Sequence, residues 1–399
     1  MRDRTLFRQN AFLQISFFIG FGILSIYSVL FLQKAGYSTL EIGIATTLAN
    51  LLGTLVQLYT GRLADRARGL SIKAILLAQS VTMAVVMLPY FGGMPSLAVV
   101  FVTYLIYCGL AQAVQGPMNA VTVAFEKAGH AIPFNIIRGL GSMSYGVTSV
   151  LTGFYFDSQP IEHLPYFLFA SSFLFSIAIL MLPKPPTGGQ QLADDRIRRT
   201  GKATEHFYAK YPVFVPLIIG FTLLFAGHVM INNYLALIVE NRGGGPGQTG
   251  LAVAVAISCE VLALFSFTAI RRKLSDRTIL FTSAFTFTLK AFLLYLSKNV
   301  AMIFVSQILQ FGGFAFFTAG MSYFAAQLVE PQDLVKGQSV NTIIMSLGGA
   351  MGSFVGGFAL HILSVNQSLL LTVGVSLVGT IVAVAGLVKA GKVAAQKAR

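Results

Sequence analysis

Twelve apolar runs, each about 20 residues long and separated by short polar breaks, leave this chain few folds to choose from. Runs of that length match a hydrocarbon core roughly 30 Å thick. Inside such a core the backbone must satisfy its own hydrogen bonds. Long runs without alternation do so as helices, not as barrel strands. The spans read as 10–33, 41–61, 70–91, 96–125, 134–157, 163–182, 213–240, 249–270, 277–297, 300–328, 338–363 and 366–388. With 55% hydrophobic and 11% charged residues, the chain lacks the polar surface that a soluble domain of 399 residues needs. No small-residue cleavage site follows the first run, which reads as a retained helix and not a signal peptide.

The runs fall six and six around a polar stretch, 183–212, of linker composition. A short basic loop recurs in the two halves, as Gly61-Arg62-Leu63-Ala64-Asp65-Arg66 and as Arg271-Arg272-Lys273-Leu274-Ser275-Asp276-Arg277. The expectation is an all-α membrane protein built by internal duplication. It has an N-terminal six-helix bundle over 1–182, a cytoplasmic linker over 183–212, and a C-terminal six-helix bundle with a short tail over 213–399. Of the lysines and arginines in the connecting loops, only Lys34, Arg242 and Lys298 fall on the side opposite the termini. The positive-inside rule then puts both termini in the cytoplasm. The expected location is a bacterial cytoplasmic membrane. The same rule accounts for the net charge of +14 without any nucleic-acid partner. Basic loops of this kind face anionic lipid headgroups.

A charge within a membrane helix costs about 2.5–3.5 kcal/mol at the bilayer centre, so such charges mark candidate sites. Glu260 lies midway along the eighth run, Lys290 within the ninth, and Arg138 at the start of the fifth. Glu260 and Lys290 sit at comparable depths on adjacent helices; they read either as a pair sensitive to protons and substrate or as a static ion pair. His228 and Asn232, four residues apart, share a face of the seventh helix. His228 reads as a proton relay or as a hydrogen-bond donor between helices. Gln112, Gln115 and Asn119 form an amide stripe around Pro117, with Gln307 and Gln310 a second such stripe. Tyr145 follows Arg138 by seven residues, so both face one way, as ligand contacts or as cap and packing. Glycines at 348, 352 and 356 read as a close-approach stripe. Cys108 and Cys259 read as small buried hydrophobes.

With the Gly61–Arg66 loop in place, the chain resembles the major facilitator superfamily. That resemblance implies two pseudo-symmetric six-helix halves. It also implies a cytoplasmic gate at Gly61, Asp65 and Arg66, echoed at Asp276 and Arg277. A closer likeness is to proton symporters related to lactose permease and the phenylpropionate permeases. It is carried by Arg138-Gly139-Leu140-Gly141-Ser142-Met143-Ser144-Tyr145, by Cys259-Glu260-Val261-Leu262, by Lys290 and by Gly227-His228. Two positions depart from it: the fourth-helix acid is Ala120, and the tenth-helix His-x-x-Glu is Gln310 and Gly313. Galactoside is therefore not the expected substrate, and the proton site is expected at Glu260.

The expected function is alternating-access, proton-coupled uptake of a small polar or aromatic solute such as a sugar, nucleoside or aromatic acid. Asn119, Arg138, Tyr145, His228, Asn232, Lys290 and Gln310 would contact the solute, while Glu260 and His228 couple protons. Export of amphipathic drugs or lipids is the alternative. No metal-ligand pair, nucleophile elbow or phosphate-cradling glycine loop points to an enzyme, metal or cofactor. The expected partners are the solute, protons and the bilayer, and the expected state is a monomer.

Overall fold

The computed structural model describes residues 2–65, 71–184, 207–330 and 333–397. Residue 66, the side chain of residue 65 and most of the 183–212 stretch thus lie outside the described residues. Among the described residues, the regular structure is helical throughout.

Unit 1 comprises Met1–Asp195 and Gly245–Ala254. It contains α1 (Arg2–Ala35), α2 (Thr39–Asp65), α3 (Ile72–Val85), α4 (Leu97–Lys127), α5 (Phe134–Ser158) and α6 (Leu164–Met181). Gly36, at φ +109°, ends α1, since a positive φ is available to glycine without strain. Two residues on, Ser38 and Glu41 form a reciprocal capping box that starts α2, with Ser38 N to Glu41 Oε2 at 2.8 Å and Glu41 N to Ser38 Oγ at 3.3 Å. α1 is the spine of the unit, packed against α5 and α6. Its most apolar window is 72% buried, and Tyr27 anchors it by donating to the Ser149 carbonyl on α5 at 2.6 Å.

Unit 2 comprises Arg196–Gly244 and Val255–Arg399. Its helices are α7 (Phe214–Asn233), α8 (Pro246–Arg271), α9 (Asp276–Leu296), α10, α11 (Leu334–Ile362) and α12 (Val365–Lys397). α10 runs as Val300–Ile308 and Phe316–Leu328 around a π turn at Phe311–Ala315. The first residues of α8 group with unit 1, where Gly247 N donates to Asp157 Oδ1 at 2.9 Å. α7 repeats the part of α1: it packs against α11 and α12, around a core of Phe214, Phe221, Phe225, Phe287 and Phe317. The pairing of α3 with α4 and α6 is likewise repeated by α9 with α10 and α12.

Among the described residues, eleven helices are long and apolar enough to cross a membrane. α5 stands outside that set; it carries Asn135, Arg138, Ser142 and Ser144 in its first half, so it occupies the expected fifth place as a more polar helix. Two expected spans are not continuous. The α7 helix ends at Asn233 and resumes at Leu235–Asn241, and α10 holds the π turn.

Candidate functional site

In unit 1, Arg138 lies one turn into α5 and donates from Nη1 to Ser142 Oγ at 3.0 Å, one turn further on. Its guanidinium carbon stands 4.2 Å from the centre of the Phe18 ring on α1. Gly141 permits this, because a Cβ there would come within 2.6 Å of the Phe18 ring. Tyr145 packs beside Phe21 and Gly22 on the same helix, with ring centres 6.1 Å apart. The seven-residue spacing therefore turns both side chains toward α1. Asn119 accepts a hydrogen bond from Gln14 of α1 at 3.0 Å. Gln14 is fully buried, and its Oε1 has no partner among the described residues. Gln115 donates to Gln112 at 3.2 Å, within the amide stripe of α4.

In unit 2, the buried His228 and the exposed Asn232 meet at 2.8 Å through Nε2 and Nδ2. The Asn232 amide donates there, so Nδ1 carries the ring proton, and Nδ1 is buried without a partner among the described residues. The imidazole is boxed by Phe314, stacked at 5.2 Å, by an edge contact with Phe287 and by the tilted ring of Phe225. Lys290 on α9 is 2% exposed and donates to Gln310 Oε1 at 2.8 Å. Gln310 precedes the π turn of α10, whose Gly313 carbonyl accepts from Ser283 of α9 at 2.8 Å. That cross-brace fixes the register of Gln310 against Lys290. Glu260 and Cys259 of α8 lie close enough to Lys290 to act on its charge. One turn before Gln310, Gln307 is buried, and neither of its amide atoms has a partner among the described residues. The interruption of α7 falls immediately after Asn232 and Asn233, and Tyr234 is tied there to the Ser353 carbonyl at 3.0 Å.

The loop residues behave unequally. Asp276 is 4% exposed and accepts from Arg271 at 2.6 and 2.9 Å and from Gln327 of α10 at 2.7 Å. Arg271 also lies over the Tyr323 ring, at 3.7 Å. Arg277 takes no part in this cluster; it points instead to Phe281 and the end of α12. Gly61 has open space around it and lies within α2, which runs on to Asp65 where the sequence predicts a loop; residues 66–70 lie outside the described residues. Among the described residues no three His, Cys, Asp or Glu side chains gather as a metal site.

The sequence reading missed Gln14, Ser283 and Gln327, and it gave Arg271 no partner. Amides and hydroxyls in apolar runs are a weak signal, because most of them bond within their own helix.

A family model described as the MFS_1 like family matches residues 11–370. No protein of curated function matches the sequence significantly. The nucleoside transporter NupG superposes with a TM-score of 0.79 at 16% identity, covering 96% of this chain and 98% of that one. A POT family transporter, solved with a thioalcohol-conjugated peptide, gives 0.71 at 11% identity, with 98% and 96% covered. A bacterial homologue of the human lysosomal transporter Spinster gives 0.69 at 13%, with 98% of each chain covered. At these identities the likeness is one of fold.

Proposed function

The chain belongs to the MFS_1 like family, a multi-pass membrane transporter working by alternating access, and from that premise we propose proton-coupled uptake of a small polar or aromatic solute. One observation carries the reading: Lys290, buried in α9, has an uncharged amide as its hydrogen-bond acceptor, with Glu260 near it on α8. Protonating Glu260 removes the carboxylate field that steadies Lys290 and leaves the ammonium to an incoming anionic or hydroxyl group. His228, with its unpartnered ring N–H, and Asn232 offer the solute further donors from unit 2, beside Gln310. Within unit 1 taken by itself, Arg138 is the candidate for recognising charge, Tyr145 for stacking and Asn119 for hydroxyls. Asp276 and, in the first loop, Gly61, Asp65 and Arg66 serve the conformational cycle. Both termini face the cytoplasm of a bacterial cell, and the working unit is a monomer.

The test is transport into liposomes loaded with a pH dye, with sugars, nucleosides and aromatic acids added one class at a time. The expected result is lumenal acidification with one class, lost in Glu260→Gln. Silence across all classes, with hydrophobic dye leaving under an imposed proton gradient, would replace uptake by export.

A further inference from the structure

The two arginines that flank the α8–α9 turn have different fates. Arg271 is answered twice by Asp276. Both oxygens of that carboxylate are engaged, Oδ2 by Gln327 as well, and among the described residues Asp276 makes no hydrogen bond to its neighbour Arg277. Arg277 lies with its guanidinium carbon 5.4 Å from the centre of the Phe281 ring and against the backbone of Gly391. A Cβ at Gly391 would stand 2.6 Å from that carbon, so glycine is what lets the guanidinium reach the end of α12. Its Nε is buried and has no acceptor among the described residues. Leaving a charged donor enclosed and unmatched is costly, and a planar fork of N–H groups is matched best by a carboxylate or a phosphate.

Position narrows the choice. Asp276 opens one membrane span and Gly391 closes another, which puts Arg277 at the level where lipid headgroups lie. The exposed Arg272 and Lys273 on the same turn keep the local potential positive, and the first turn of α9 adds the partial charge of a helix N-terminus. We propose that Arg277, held between the Phe281 ring and Gly391, binds a phosphate group, supplied by the headgroup of an anionic lipid. This site is separate from the Glu260–Lys290 pair and does not rest on the transport reading.

Native mass spectrometry of the full chain in detergent tests it, with phosphatidylglycerol, diacylglycerol and inorganic phosphate titrated separately. The wild type is expected to retain one phosphatidylglycerol and no diacylglycerol. Arg277→Gln weakens that binding about fivefold to tenfold, the exposed Arg272→Gln much less. Gly391→Ala keeps the charge but crowds the guanidinium and weakens retention too, which covers the case in which Arg277→Gln folds poorly. Saturable binding of inorganic phosphate that depends on Arg277, without lipid retention, would keep the phosphate site and change its source. Equal binding of both phosphate-bearing probes by wild type, Arg277→Gln and Gly391→Ala would overturn the proposal.

Discussion

Lys290 is the residue whose cost is hardest to explain by structure alone. It is 2% exposed, and its hydrogen-bond acceptor is the uncharged amide of Gln310. A buried charge answered in this way stabilises a fold poorly, and apolar residues of similar volume often serve stability as well or better. We therefore expect Lys290→Met to melt at or above the wild-type temperature in detergent while losing transport at least tenfold. A melting temperature lowered by many degrees would instead make Lys290 a packing residue. Charges such as Lys290, Glu260 and Arg138 were legible in the sequence because an ion in an apolar run is conspicuous. Their partners were not. Which acceptor meets Lys290 depends on the π turn at Phe311–Ala315, which shifts the register of α10 in a way no helical spacing reports. Gln14, the partner of Asn119, was hidden for a plainer reason: an amide in the first run carries no charge to mark it.

Helix existence followed directly from run length, whereas helix continuity did not. The run 213–240 reads as one span, yet the chain breaks at Tyr234, after two asparagines whose weak helix propensity was the available warning. The glycine stripe of α11 fared better. Gly348, Gly352 and Gly356 all lie against α7, where a Cβ at Gly352 would stand 2.8 Å from the Val229 Cβ and closer still to the Ala226 carbonyl. Gly349, one residue along, has nothing within 4 Å. The two positions make a matched pair. Gly352→Val should force α7 and α11 apart and cost about 1–3 kcal/mol, whereas Gly349→Ala should be neutral or stabilise by up to about 1 kcal/mol. Thermal unfolding of the two variants side by side reads this out, and equal melting temperatures would refute the close-approach role.

At the scale of the molecule, the duplicated loop and the six-and-six rhythm anticipated the repeated helix pairings, α1 with α5 and α6, α7 with α11 and α12. What the rhythm could not show is how the polar ends of a unit are fastened. Just before α7, Lys210 bonds Glu330 at 2.8 Å and Asp333 at 2.9 Å, and Tyr211 donates to Asp333 at 3.1 Å, so the entry to α7 is tied to the α10–α11 connection. The hydrogen bond from Lys210, helped by Lys336 and Tyr211 against partial burial, holds the Asp333 carboxyl below its ordinary range. The carboxylates Glu330 and Asp333 in turn raise Lys210. A depressed carboxyl contributes stability above its unfolded value, near 3.9, and loses it as the pH falls through the lower folded value. A raised lysine contributes below its unfolded value, near 10.4, and loses it as the pH rises through the higher folded one. Between those limits the fastening should not depend on pH. Lys210→Met should therefore lower the melting temperature by the same few degrees at pH 6 and pH 8, and the gap to wild type should close as the pH falls below about 4. Lys210 is 40% exposed, so high salt should shrink the gap at every pH. A gap that changes between pH 6 and pH 8 would show that a group titrating near neutrality, and not Asp333, governs the entry to α7.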